Sequence, residues 1–357
     1  MTRKIILHIG PAKTGTSSLQ EALFANRALL MQNGFHYPEF GRHRQMPNLP
    51  GHHGIQGELG NNRPVPQDII DGMATLDPDL TVVFSSENLA NLPQEAIRQL
   101  IETLSPAAFQ VVYYARRWDH LVPSVWQELI KHGHSQSYLE YINRQLSAPR
   151  NNHHLNYKLP LDRWANVVGK SQIDVFSYDG VNAADLGIVA HFFDQVLGIA
   201  APYQQEPRSN TRNTPIFTET LRMLNRLTYG GKPSSPKVRT ELMRNLPLVE
   251  GELAEIEQML KPYVARAPLC APFVFFQIER EFLAQYAPRV RNLDEDGRLF
   301  GNILFQPTDY VQCPYLFETQ ALALYRRILE RLELKKAPAS SDVQRVAQVS
   351  PQQHQAD

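Results

Sequence analysis

Short unbroken apolar runs and helix-spaced apolar positions take turns along this chain. "KIILHI" (4–9) is an apolar, β-branched run stopped by glycine, which predicts a strand buried in a parallel sheet. After "GPAKTGTSSL", Leu19, Ala22, Leu23 and Leu30 fall on one helical face, interrupted by Asn26, and Gly34 is placed to end the helix. "LTVVFSS" (80–86), "FQVVYYA" (109–115) and "QIDVFSY" (172–178) predict further buried strands. Leu121, Val125 and Leu129 suit a helix after the third strand, and "LPLDRWANVVG" suits one before the fourth. Strands alternating with helices predict an α/β fold with a mainly parallel central sheet flanked by helices.

Elsewhere the alternation breaks. Residues 36–78 crowd Pro, Gly, Asn and His together ("YPEFGRHRQMPNLPGHHGIQGELGNNRPVPQD"), which predicts a loop too long to be a plain connection and expected to lie over a site as an acceptor loop or lid. From 215 to 335 the pattern is mostly helical, and a helical C-terminal layer on the sheet is expected, within a single domain spanning 1–335. The polar tail 336–357 is expected to be disordered.

Composition narrows the class. The chain has 357 residues, 43% hydrophobic and 20% charged, which fits a soluble globular protein with a substantial core. Its 36 Lys and Arg balance 36 Asp and Glu, so net charge calls for neither nucleic acid nor an anionic membrane, and any basic site is local. Cys270 and Cys313 are too few for a disulfide scaffold and lack metal-ligand spacing, which suits a reducing compartment. The apolar run at the N-terminus is too short for a signal-peptide core, and no stretch approaches the roughly 18 apolar residues of a membrane span. A cytoplasmic protein without a transmembrane segment is the expectation; oligomeric state is left open.

Candidate chemistry starts at residue 10. Gly10 and Gly15 have the spacing of a phosphate-binding P-loop, yet Thr16 stands where that loop carries lysine, and Lys13 lies inside the loop. A damaged nucleotide site, a structural glycine turn and a different anion-binding loop all fit those two glycines. A strand-to-helix loop points backbone N–H groups and the positive end of a helix dipole at one spot wherever its lysine sits. No strand ends in the aspartate that would hold magnesium beside a nucleotide; the second ends "FSSEN".

The run "LHIGPAKTGTSSLQEAL" resembles the 5′-phosphosulfate-binding loop of sulfotransferases that use 3′-phosphoadenosine 5′-phosphosulfate (PAPS), with Lys13, Thr14, Gly15, Thr16 and Ser17 on matching positions. That family also holds the 3′-phosphate with an arginine after a strand and a serine eight residues on. "VVYYARRWDHLVPSVWQ" is similar, supplying Arg116 and Ser124. An arginine can fork onto phosphate oxygens and a hydroxyl can complete the cage. "RSNTRNTP" (208–215) looks like the family's Arg/Asn-rich segment near the cofactor, which implies Arg208 and Asn210. The matches cover about residues 4–225.

The resemblance implies a P-loop-type fold, PAPS as co-substrate, no metal, and transfer of a sulfuryl group to a hydroxyl or amine of a carbohydrate or glycolipid. Glu87, just past the second strand, sits at the sheet edge where parallel α/β sheets place ligands. It is either a helix-start carboxylate or, as in many carbohydrate sulfotransferases, the catalytic base. A histidine is the alternative base, and His8 is either a packed residue or a supporting one. Lys13 is implied to stabilise the leaving group. His52 and His53, with His43, suit an acceptor wall; adjacent histidines without a carboxylate at ligand spacing do not read as a metal site. The competing functions are a P-loop nucleotide kinase and a non-catalytic protein that binds 3′,5′-ADP (PAP) or another nucleotide.

Overall fold

A computed structural model describes residues 3–334 apart from 44, 47, 106–107, 184–186, 201, 205–212, 230–235, 268–271, 302–305 and 313. In chain order the elements are β1 (Lys4–His8), α1 (Thr16–Ala25), α2 (Arg27–Gln32), β2 (Phe35–His36), α3 (His53–Leu59), α4 (Gln67–Thr75) and β3 (Thr81–Ser85). A 3₁₀ turn (Glu87–Asn91) precedes α5 (Gln94–Leu104), β4 (Ala108–Ala115), α6 (Trp118–Lys131), α7 (Tyr138–Leu146), α8 (Lys158–Val168) and β5 (Ile173–Ser177). Then come α9 (Tyr178–Ala183), α10 (Gly187–His191), α11 (Pro215–Tyr229), α12 (Lys237–Arg244) and α13 (Leu246–Leu260). The last are β6 (Val264–Ala267), α14 (Pro272–Tyr286), β7 (Thr308–Val311) and α15 (Pro314–Arg331).

The chain divides into two compact units, one of residues 1–122, 145–211 and 270–306, the other of 123–144, 212–269 and 307–357. The first holds a five-stranded parallel sheet in the order β2-β3-β1-β4-β5, flanked by helices. The fold is α/β, and all four sequence-predicted strands are in this sheet. β1 is central because both its faces are apolar: Ile5, Ile6 and Leu7 are wholly buried. On one face Ile6, Val83, Val112 and Tyr114 pack with Leu19, Ala22 and Leu23 of α1. Trp164 of α8 is also wholly buried, its indole N–H donating to the Leu89 carbonyl (3.2 Å).

The order has a functional consequence. From β1 the chain moves to the edge strand β2 and back to β3 on one side, then crosses to β4 and β5 on the other, so the winding reverses beside β1. Ligands of open α/β sheets bind at the carboxyl edge beside such a point. The segments leaving β1, β3 and β4 there are 9–15, 86–87 and 116–117.

Residues 36–78 are not the loop expected. They contain the end of β2 together with α3 and α4. Ile55 and Leu59 in α3, and Ile69 and Met73 in α4, are buried pairs four residues apart. Each short helix buries a single apolar stripe, which the surrounding Pro, Gly and Asn hide from a periodicity reading.

In the second unit, α13 packs with α15, and β6 pairs antiparallel with β7 from Val264↔Val311 to Ala267↔Thr308. Within α11 the buried Arg222 grips Glu219 through two hydrogen bonds (2.9 and 2.6 Å). Among the described residues no helix is long and apolar enough to cross a membrane. Arg208, Asn210, Cys270, Cys313 and the tail 336–357 lie outside the described residues.

Candidate functional site

The loop after β1 is fixed through its backbone. The Ile9 N–H donates to the Val112 carbonyl (3.0 Å) and the Gly10 carbonyl accepts from the Tyr114 N–H (3.0 Å), so the loop leaves the sheet already docked on β4. Gly10 has φ +98°, and a Cβ there would lie 2.7 Å from the Cα of Glu87. Only glycine permits both the turn and that approach. Thr14 is buried, its hydroxyl donating to the Pro11 carbonyl (2.6 Å), so it closes the loop on itself. Lys13, at the crest, is held at φ +69°, a left-handed conformation unusual for a residue with a side chain.

Gly15, also left-handed, begins α1 with no side-chain cap and no acidic residue in the first turn. The first N–H groups of a helix have no partner within it and carry its positive dipole end. Thr16 is buried and Ser17 exposed at this helix start. A bare glycine turn, an uncapped helix and a crest lysine suit a phosphate or sulfate ester.

Arg116, the first residue after β4, reaches this loop: its Nη1 donates to the Lys13 carbonyl. Its guanidinium lies 5.3 Å from the Tyr178 ring centre, and the Tyr178 hydroxyl lies 3.4 Å from where a Gly15 Cβ would be. The Tyr157 hydroxyl donates to the Arg116 carbonyl, and the Tyr157 ring stacks on Trp118 at 5.6 Å. The next residue has a different role. Arg117 is buried and forks onto Asp119 with two 2.7 Å bonds, while its N–H donates to Asp179 (2.6 Å). Asp179 also bonds the His120 ring (2.7 Å). Burial disfavours its charge, but the bonds from His120 and the Arg117 N–H outweigh this and hold its carboxyl below the usual range. Ser124 lies on α6 in the second unit.

Glu87 opens the 3₁₀ turn after β3, capped by Ser86, whose hydroxyl accepts the Asn88 N–H (3.4 Å). The Ala90 N–H donates to the Ile9 carbonyl (3.2 Å), tying this turn to the end of β1. The half-buried Glu87 carboxylate takes a hydrogen bond at Oε2 from the Gln20 amide of α1 (3.0 Å). Glu87 and the Lys13 loop are thus brought together in one unit at the carboxyl edge of the sheet.

The strap formed by residues 50–53 lies alongside. His52 is wholly buried: its N–H donates to the Ser85 carbonyl (2.8 Å), its Nδ1 accepts the Ser85 N–H (3.1 Å), and its Nε2 bonds the Pro38 carbonyl (3.1 Å). Those partners assign the proton to Nε2. Its ring meets Tyr37 and Phe84 edge-on at 4.7 and 4.9 Å, and burial lowers its pKa to about 3. His52 therefore pins the strap to β3 as a neutral ring. His53 bonds the Ser86 hydroxyl through Nδ1 (2.9 Å) and is partly exposed. His8 is wholly buried, with Nδ1 on the Ser85 hydroxyl (2.8 Å), its ring against Tyr114 and Phe192, and its pKa lowered by burial to about 3. It packs as a neutral residue.

Sequence reasoning missed Gln20, Tyr178, Asp179 and His120. The edge rule that singled out Glu87 also covers Tyr178 and Asp179, which follow the buried "IDVFS" strand. Gln20 follows Thr16 by four residues, on the same buried face of α1. Among the described residues no group of three His, Cys, Asp or Glu converges as a metal site requires.

No protein-family model and no curated protein matches the chain. Among solved structures it is similar to a sulfotransferase from Alicyclobacillus acidocaldarius, at 15% identity and a TM-score of 0.38, with 59% of this chain and 87% of that chain covered. So distant a likeness carries neither an activity nor a residue role.

Proposed function

We propose that this chain transfers the sulfuryl group of PAPS to a hydroxyl or amine of a carbohydrate or glycolipid acceptor. The observation that carries the reading is the meeting at one sheet edge of an uncapped glycine loop, its crest Lys13, an arginine bonded to that lysine's carbonyl, and Glu87 packed against Gly10. The fit to the co-substrate is chemical: bare N–H groups and a lysine suit the phosphosulfate end, and Arg116 suits a further phosphate.

When bound, PAPS supplies a sulfuryl group activated by its bond to phosphate. The N–H groups of Gly15, Thr16 and Ser17 hold the anionic end, with Gly10 and Thr14 shaping the turn. Lys13 sets its charge against the negative charge that grows on the leaving phosphate oxygen. Arg116 holds the 3′-phosphate, with Arg208 and Asn210 as further cofactor contacts. Glu87 takes the acceptor's proton as its oxygen or nitrogen attacks sulfur. His53 faces the acceptor, and His52 acts through the strap it pins. A sulfuryl group carries less negative charge than a phosphoryl group, so a lysine does here what magnesium does in kinases, and no metal is required.

Thermal shift against PAP in EDTA, and against ATP with magnesium, tests the nucleotide. Stabilisation by PAP without metal is expected, and a shift with ATP-magnesium alone would establish a kinase instead. Transfer of label from [³⁵S]PAPS to a panel of glycosides, glycolipids and amines tests the chemistry; PAP binding with no transfer to any of them would mean a non-catalytic nucleotide-binding protein.

A further inference from the structure

Given the proposed reaction, we infer that Gln20 is a positioning residue for Glu87: its amide fixes the carboxylate from the helix that begins at the phosphosulfate loop. Gln20 is 3% exposed, so its amide is committed inside the protein. Its Nε2 donates to Oε2 of Glu87 at 3.0 Å, and this is the one hydrogen bond to that carboxylate among the described residues. The carboxylate's other oxygen, Oε1, stays available to accept an acceptor proton. A side-chain amide does not ionise at working pH, so Gln20 orients the base without competing with it for the proton.

The amide is itself held in place. A Cβ at Gly51 would fall 2.5 Å from Gln20 Oε1 and 2.6 Å from His53 Nε2, so both side chains close against that glycine. His53 in turn bonds Ser86, the cap of the turn that Glu87 opens. Gln20, the strap and Ser86 enclose the carboxylate's setting, and one turn of α1 separates Gln20 from Thr16. A shift of the anion-binding helix start would therefore carry the base with it. Other titratable or charged groups near here include Lys13 in the loop, Tyr37 and Arg42 before the strap, His52 and His53 in it, and Arg163, which bonds the Ala90 carbonyl of the same turn. None of them makes the Gln20 contact.

The test is a double-mutant cycle on the full chain, with [³⁵S]PAPS as donor and octyl β-glucoside as acceptor. Gln20→Met keeps the volume and removes the donor. It is expected to lower kcat about 10- to 100-fold, the scale of a hydrogen bond to a charged group, while the Kd for PAP stays within about twofold. In a Glu87→Gln background the same change is expected to cost less than about twofold, because the carboxylate it serves is gone. Gly51→Ala, which displaces Gln20 without removing its amide, should lower kcat in the same direction and also keep PAP binding. Equal losses from Gln20→Met in both backgrounds, or a parallel loss of PAP affinity, would overturn the positioning role. If wild-type protein transfers no label to the glucoside or to any other glycoside, glycolipid or amine of the panel, the sulfotransfer reading itself falls, and the positioning role with it; the wild-type control separates the two failures.

Discussion

Two segments meet the turn that carries Glu87, and they are built by opposite means. The loop 10–15 is held through its backbone: glycines at left-handed φ, the Thr14 hydroxyl on Pro11, and Arg116 on the Lys13 carbonyl. The strap 50–53 is anchored by a side chain, the imidazole of His52 inserted between Tyr37, Phe84 and the Ser85 backbone, beside backbone bonds at His52 and Pro50. The difference teaches that a loop can present its backbone to a ligand only if something else anchors it, whereas a strap anchored by its own side chains presents few of them. Loop substitutions should therefore affect chemistry and cofactor, and loss of the strap's buried anchor His52 should affect stability.

The sharpest break of that division is Lys13→Ala. Removing one preorganised charge should lower turnover roughly 10²- to 10³-fold, with unfolding free energy almost unchanged. Steady-state rates and urea melts on the same preparation decide it. A normal turnover would remove Lys13 from the chemistry, and a large loss of stability would erase the contrast with the strap.

His52→Ala tests the other side. It strips partners from the Ser85 N–H and the Pro38 carbonyl and leaves a void between two aromatic rings. Each buried group left unsatisfied costs about 1–3 kcal/mol, so for the two a stability loss of about 2–6 kcal/mol is expected. PAP affinity should move little, as isothermal titration would show. A variant as stable as wild type would mean that the strap is not pinned there.

Arg116→Ala should sharpen the loop half of the comparison. PAP carries a 3′-phosphate that 5′-AMP lacks, so losing the guanidinium should weaken PAP binding about 10-fold or more and 5′-AMP binding much less. Equal losses would mean that Arg116 serves only to hold the Lys13 carbonyl.

The same contrast explains what was legible in the sequence. The four long strands and the loop–helix unit obey local rules: apolar runs, glycine at a positive φ, a helix of one apolar face. Glu87 followed from a positional rule about sheet edges. The strap region did not, because α3 and α4 are each anchored by one buried pair within a polar, proline-rich stretch, and the fit of His52 against Ser85 joins residues 33 apart. Arg116 and Arg117 are adjacent and chemically alike in the sequence. Only the fold separates them, sending one to the loop and burying the other against Asp119. The Gln20 amide on Glu87 spans 67 residues and carries no local signature.

The last expected effect concerns protons, and it belongs to the residues that pack rather than to the loop. His8 and His52 are buried as neutral rings with pKa values lowered to about 3, against 6.5 for a free imidazole. On unfolding, each takes up a proton at any pH between those two values. Their stabilising contribution is therefore complete above about pH 6.5 and is lost as pH falls towards 3, by about 1.4 kcal/mol per pH unit for each histidine. Urea unfolding at pH 7.5, 5.5 and 4.5 should show that decline. His52→Gln should flatten the slope below pH 6 by about one proton's worth, whatever it does to stability at neutral pH. An unchanged slope in that variant would mean that His52 is protonated alike in the folded and unfolded chains, and the strap would then be held by a charged ring.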